Sequence, residues 1–169
     1  MPKEPIRVEI DAPSGTQQSI QDPPDLSVRI VNVSSRTIWM VGVLPGSDGL
    51  RYPQYRVEIE GPSGPVRLRL PEGLDYARGL RQDDFVRLEP GESFDPQEGR
   101  GFVPIQQLAW FKPGEPGRYR LRLVFDATSE NPRDWLGHTP VYDAHHIEKL
   151  IEQVPHEEVW SNTLEIEFE

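Results

Sequence analysis

Residues 118–125 read RYRLRLVF and residues 164–169 read LEIEFE, and both stretches alternate apolar with charged side chains. Successive side chains of a β-strand point to opposite faces, so this alternation predicts two half-buried strands. One polar face carries arginines and the other carries glutamates, which favours antiparallel pairing of the two strands. The carboxy-terminal stretch is therefore predicted to be a structural strand that closes a sheet.

The remaining sequence predicts an all-β protein with a single domain over residues 1–169. It contains 18 prolines and 14 glycines, a composition that favours many short strands joined by turns. Further alternating stretches begin at Ile6, Leu26 and Tyr55. Together these segments predict an antiparallel β-sandwich of about seven to eight strands.

A long insertion, residues 127–158, separates the last two predicted strands. Asp143 is a suitable N-cap for a helix, and Pro155 would end it. The apolar residues between them have the i, i+3, i+4, i+7 spacing of one helix face, namely Ile147, Leu150, Ile151 and Val154. The sequence thus predicts a short helix before the last strand, lying on the sandwich as a lid or brace.

Three motifs follow one another along the chain. They are the strand 26–33 with Asn32, the segment 84–93 (DFVRLEPGES), and the segment 111–121 (FKPGEPGRYRL) followed by Ser161-Asn162. This order resembles bacterial immunoglobulin-like sandwich domains, including the bacterial intracellular proteinase-inhibitor family. It is also similar to the non-catalytic region of deuterolysin-type metallopeptidases. The resemblance implies an immunoglobulin-like fold; it carries over no functional residue, because the zinc-binding His-Glu-x-x-His of those peptidases is absent.

The net charge of −10 bears on the expected partners. Such an acidic surface repels phosphate, so neither nucleic acid nor an anionic membrane is expected to bind. The chain contains no cysteine, and its first ten residues have no apolar signal core. The expected location is the cytoplasm, or outside the cell if a leader has been removed. The sequence leaves the oligomeric state open, and we expect no cofactor.

The leading functional hypothesis is a non-catalytic binding or accessory module whose partner is another protein. Tyrosine and tryptophan are enriched in binding hot spots. The predicted recognition surface is therefore the insertion with its neighbouring loops, and the candidate residues are Tyr76, Trp135, Tyr142 and His145. The alternative interpretation is that these aromatic side chains cover the ends of the sandwich.

Two other functions remain as alternatives. His145, Glu148 and Glu152 share one predicted helix face and offer imidazole and carboxylate ligands for a divalent metal, although Lys149 on that face would repel it. A proteinase inhibitor, suggested by the resemblance alone, would need an exposed rigid loop, for which the segments 44–53 and 71–84 are candidates. No catalytic residue is predicted, because no serine lies in a nucleophile-elbow motif.

Overall fold

The protein is built mainly from β-strands, as shown by a computed structural model that describes residues 4–68 and 77–169. In this part of the chain the strands are β1 (Ile6–Asp11), β2 (Gln17–Gln18), β3 (Ser27–Asn32), β4 (Ile38–Val41), β5 (Gln54–Gly61), β6 (Gly64–Pro65), β7 (Phe85–Leu88), β8 (Ser93–Phe94), β9 (Gly117–Asp126), β10 (Glu158–Trp160) and β11 (Leu164–Phe168). The helices are α1 (Gln106–Ala109), α2 (Arg133–Leu136) and α3 (Ala144–Ile151), and a 3-10 turn covers Gln82–Asp84. The strands pair mostly antiparallel, which confirms the prediction of a β-rich protein with antiparallel sheets.

Strand β9 forms the centre of a sheet with the order β2-β11-β9-β5-β6. Leu121 of β9 lies opposite Leu164 of β11, and both side chains are buried. On the outer face Arg120 lies between Glu60 and Glu165, with nitrogen–oxygen distances of 3.8 and 3.5 Å. The predicted pairing of the last strand with the arginine-bearing strand is therefore confirmed.

Strands β10 and β11 follow the same edge of β9 and are separated by a β-bulge. Between the paired positions the chain advances five residues, from 159 to 164, while β9 advances four, from 125 to 121. The Ser161 backbone N–H donates to the Leu123 carbonyl (2.8 Å), and the Leu123 N–H donates to the Ser161 hydroxyl oxygen (2.9 Å). A side-chain oxygen thus replaces the backbone acceptor that the extra residue displaces.

The bulge also connects this sheet to a second one, which has the order β1-β3-β8. The Asn162 side chain pairs with the backbone of Ile10 in β1. Its Oδ1 accepts from the Ile10 N–H at 2.9 Å, and its Nδ2 donates to the Ile10 carbonyl at 2.9 Å. One amide side chain therefore satisfies both backbone groups at this point of an edge strand.

Strands β4 and β7 form a further antiparallel pair, which Asn32 joins to the end of β3. Asn32 is fully buried, and its Nδ2 donates to the carbonyls of Arg36 (2.8 Å) and Leu88 (3.0 Å). Its Oδ1 accepts from the Ser34 N–H at 3.0 Å. The buried amide is thus hydrogen-bonded through both its nitrogen and its oxygen, as buried polar groups generally are.

The apolar faces of these sheets meet in one hydrophobic cluster. Burying a large aliphatic side chain contributes about 1.5–3 kcal/mol, so this cluster is the main source of stability. From the sheet of β1 and β3 it includes Ile6, Val8, Ile10, Val28 and Ile30; from the sheet of β9 it includes Tyr55, Leu121, Leu123, Phe125, Ile166 and Phe168.

The insertion contains the predicted helix, α3, and one feature that the sequence did not predict. The predicted apolar face is confirmed, because Ile147, Leu150 and Ile151 are buried, as is Val154 just after the helix. Asp143 occupies the N-cap position, but it has a left-handed backbone (φ 55°) and makes no side-chain capping bond. A second short helix, α2, precedes it and carries Trp135.

Candidate functional site

Trp135 is completely buried. Its indole N–H donates to the Ser129 carbonyl at 2.8 Å, and its ring centroid lies 6.1 Å from that of Tyr52 and 5.5 Å from that of His156. The predicted contribution of Trp135 to an exposed recognition surface is therefore not supported by its placement. It packs the insertion against the body of the protein, which is the alternative role that the sequence left open.

Arg51 lies beneath the insertion and is also buried, with 2% of its surface exposed. Its guanidinium donates to the carbonyls of Trp135 and Arg78, which belong to two different segments. Burial, and secondarily the nearby charge of Arg78, lowers the pKa of Arg51 to about 10. Arg51 therefore stays charged at neutral pH and links the insertion to the segment that begins at Ala77.

The segment 77–80 runs beside α2 and is hydrogen-bonded to the residues that follow this helix. The His138 N–H donates to the Ala77 carbonyl, and the Leu80 N–H donates to the Leu136 carbonyl, both at 3.0 Å. Gly137 lies between these bonds at φ 84°, and a Cβ there would overlap the Arg78 carbonyl oxygen. Only glycine combines this conformation with so close an approach of the two chain segments.

Arg78 and Asp84 stabilise the other side of the same segment. The two side chains form a paired contact, with Nη1–Oδ2 and Nη2–Oδ1 distances of 2.8 and 2.6 Å. Asp84 is buried, and its Oδ2 also accepts from the Arg81 N–H at 2.8 Å. A two-point pair of this kind fixes orientation as well as charge. The segment is thus held by the insertion on one side and by the turn that contains Asp84 on the other.

These contacts leave a cleft of about 520 Å³ between the segment 78–82 and the segment 139–147. Tyr142 lines the cleft and is 99% exposed, which is unusual for an aromatic side chain. The next residue, Asp143, has a left-handed backbone, a conformation that is uncommon outside glycine. Arg81 and His146 also line the cleft, so it contains a guanidinium and an imidazole group as well as the exposed ring.

The predicted site residues are only partly brought together. Tyr142 lines the cleft, whereas His145 is exposed on α3 and its neighbour His146 contributes to the lining. Tyr76 lies outside the described residues. Sequence reasoning missed Arg81 and His146. Successive helix residues are rotated by about 100°, so without knowing which face the segment 78–82 covers, either histidine was a reasonable choice.

The metal-ligand set is not assembled. His145, Glu148 and Glu152 form no metal-ligating group, and in residues 4–68 and 77–169 no three histidine or acidic side chains are arranged to hold an ion. His156 is engaged elsewhere, because its Nδ1 lies 3.0 Å from the Ser129 carbonyl oxygen and its Nε2 lies 2.9 Å from that of Ile151. The proposed metal ligands therefore remain side chains of the helix surface.

The loop 44–53, one of two candidate inhibitory loops, packs largely inward. Leu44, Ser47 and Arg51 are buried, and Leu50 at the tip is half exposed. An inhibitory loop must present several consecutive side chains to a protease cleft, which this arrangement does not do. The other candidate, the segment 71–84, lies partly outside the described residues, and its part after residue 76 lines the cleft described above.

No family model matches this sequence, and no curated protein is significantly similar to it. The helices in the described part of the chain are all too short or too polar to cross a membrane.

Proposed function

We propose that this protein is a non-catalytic module that binds another protein through the cleft beside α3. The observation that carries the proposal is that Tyr142 is 99% exposed. It lines a cleft whose two segments are anchored by the contacts of Arg51 and by the Arg78–Asp84 pair. An exposed tyrosine offers a large apolar area and a hydroxyl at a low entropic cost, which is why tyrosine is common in binding hot spots. A loop held by a rigid scaffold is the usual location for such a site.

The chemistry of the cleft indicates what kind of segment it would accept. Arg81 is exposed and His146 is partly buried, while Asp143 is the acidic side chain among the described lining residues. A partner segment with an apolar side chain next to a carboxylate would contact Tyr142 and pair with Arg81. Electrostatic complementarity of this kind contributes to selectivity and association rate more than to affinity.

We further propose that the fold is an immunoglobulin-like sandwich. Support comes from the mostly antiparallel sheets that share an apolar core and from Tyr119 near the start of β9. The Tyr119 hydroxyl donates to the Glu115 carbonyl at 2.9 Å, four residues upstream. A tyrosine that bonds back across such a corner is a hallmark of immunoglobulin-like domains. Domains of this architecture serve many functions, so the site has to carry the functional argument.

The test is affinity capture from a lysate of the source cells with the wild-type protein and the Tyr142→Ala variant, followed by calorimetry with the purified partner. Trp110→Ala is the matched control, because Trp110 is half exposed but does not line the cleft. We expect Tyr142→Ala to weaken binding about tenfold or more and Trp110→Ala to leave it unchanged. Binding that is equally strong in the Tyr142→Ala variant would refute the proposed site.

A further inference from the structure

A second groove shares no lining residue with the Tyr142 cleft. It has a volume of about 890 Å³ and is lined by β1, β3, the region of β8 and the bulge after β10. Ile6, Val8 and Ile10 face the core, so the alternate residues of β1 point outward into this groove. Ligand-binding clefts are commonly about 300–1,000 Å³, and this groove falls within that range.

Side chains of alternating charge form the floor of the groove. Arg29 lies directly opposite Glu9 in the strand pairing, and the Glu9 carboxylate accepts from the Nε atoms of Arg29 (2.9 Å) and Arg7 (2.8 Å). The hydrogen bond from Arg29 lowers the pKa of Glu9, so its carboxylate is ionised at neutral pH. One carboxylate therefore pairs with both guanidinium groups, and the remaining N–H groups of the two arginines are available as donors.

The other polar side chains of the groove make it unsuitable for a strongly charged ligand. Asp11 and Asp95 face the same space as the Arg7–Glu9–Arg29 cluster, so an anion would meet carboxylates and a cation would meet guanidinium groups. Burial raises the pKa of Asp95 above its usual value. Donors and acceptors alternate over the floor with little net charge, and this pattern matches a neutral molecule that both donates and accepts hydrogen bonds.

Trp160 supplies a flat apolar surface at the side of the groove. It is 42% exposed, its indole N–H donates to Glu158 Oε1 at 3.0 Å, and the Arg122 guanidinium carbon lies 4.6 Å from the ring centroid. These two contacts hold the ring in place before any ligand arrives, which reduces the entropic cost of binding. Arg122 covers one face of the ring, and 42% of the Trp160 surface remains exposed. This remaining aromatic surface beside hydrogen-bonding groups can pack against the C–H face of a sugar ring while its hydroxyls are bound.

From these observations we infer that the groove binds a neutral saccharide. Trp160 would stack on the sugar ring, and the Arg7–Glu9–Arg29 cluster would bind its hydroxyl groups. This site is separate from the Tyr142 cleft, so either assignment can fail while the other holds.

Isothermal titration calorimetry with a panel of neutral oligosaccharides built from glucose, mannose, galactose, xylose or N-acetylglucosamine tests the inference. We expect at least one sugar to bind with a dissociation constant in the micromolar to millimolar range, and Trp160→Ala to weaken it about tenfold or more. Trp110→Ala is again the matched control and should change nothing. Glu9→Gln, which keeps the size of the side chain, should also weaken binding because it breaks the charge cluster.

Three results would overturn the inference. The first is the absence of binding by every sugar of the panel at millimolar concentration. The second is sugar binding that Trp160→Ala leaves unchanged. The third is tighter binding of a charged probe, inorganic phosphate or spermidine, than of any sugar. Thermal melting of each variant checks that the loss of binding does not come from unfolding.

Discussion

Replacing Trp135 by alanine should cost much of the stability of the protein, whereas replacing Tyr142 by alanine should cost almost none. Both residues are aromatic, and they lie seven positions apart in the same insertion. Trp135 is completely buried and Tyr142 is 99% exposed. The pair therefore separates an aromatic side chain that holds the insertion in place from one that is free to contact a partner.

The magnitude follows from the area that each side chain buries. A buried tryptophan removes about 150–250 Å² from water, which at about 25 cal/mol per Å² corresponds to about 4–6 kcal/mol. The Ser129 carbonyl keeps His156 as a partner after the indole N–H is lost, so the hydrogen bond adds little to the cost. We expect a loss of about 4 kcal/mol for Trp135→Ala, close to measured values for such changes. For Tyr142→Ala we expect a change within about 0.5 kcal/mol.

Urea unfolding followed by far-ultraviolet circular dichroism measures both variants, because this signal does not depend on the tryptophan that is removed. The free energy of unfolding is obtained by linear extrapolation, and the slope shows whether the variant still unfolds as one unit. Trp135→Phe keeps most of the ring packing and should lose less than Trp135→Ala. The reasoning is wrong if Trp135→Ala loses less than about 1 kcal/mol, or if Tyr142→Ala loses more than that.

Three further predictions concern single contacts. Asn162→Ala should lower the free energy of unfolding by about 1–2 kcal/mol, because both hydrogen bonds to the Ile10 backbone disappear; an unchanged urea midpoint would contradict this. Gly137→Ala should destabilise the protein by about 2 kcal/mol or more, because of its positive φ and the overlap with a backbone carbonyl; a thermal melt equal to the wild type would contradict this. Glu9 has a pKa lowered by Arg29, so its stabilising effect is present above its unfolded pKa and is lost as pH falls through the folded pKa. The stability difference between wild type and Glu9→Gln, up to about 1 kcal/mol at pH 7, should therefore vanish in acid, and a gap that persists at low pH would contradict this.

The strand pairing around β9 could be predicted because the sequence patterns that indicate it lie within single strands. Alternation with period two reports which face is buried, and the opposite charges of the two outer faces report which strands are neighbours. The bulge between β10 and β11 was not predictable in this way. No glycine or proline marks it, and its extra residue is accommodated by the Ser161 hydroxyl, which could be recognised only once the register of the pairing was known.

The contacts of Arg51 and Trp135 that anchor the candidate site could not be predicted from the sequence, for a different reason. Arg51 donates to backbone carbonyls 27 and 84 positions away. Every residue has such a carbonyl, so the residue types do not indicate which carbonyls accept these bonds. Trp135 lies on a helix of four residues, which is too short to show a periodic apolar face. Most of its neighbours in the sequence are polar, so the sequence left both an exposed and a buried position open for Trp135, and long-range packing buries it.

The hydrogen bonds that hold the insertion involve mainly backbone groups, and this determines which side chains of the cleft can be substituted. Arg51 and the segment 77–80 mostly contact backbone groups of the residues 135–138, and backbone groups are the same whatever the side chain. Thr139 is an exception, because its hydroxyl oxygen accepts from the Gly79 N–H. Side chains from Pro140 to His146 can be substituted without loss of these anchoring bonds. Under the proposed function, the specificity of the cleft would depend on exposed side chains that contribute little to folding, of which Tyr142 is the extreme case. A binding surface that can be altered independently of the fold is what a recognition module requires, since selectivity among partners depends on exposed groups that stability does not constrain.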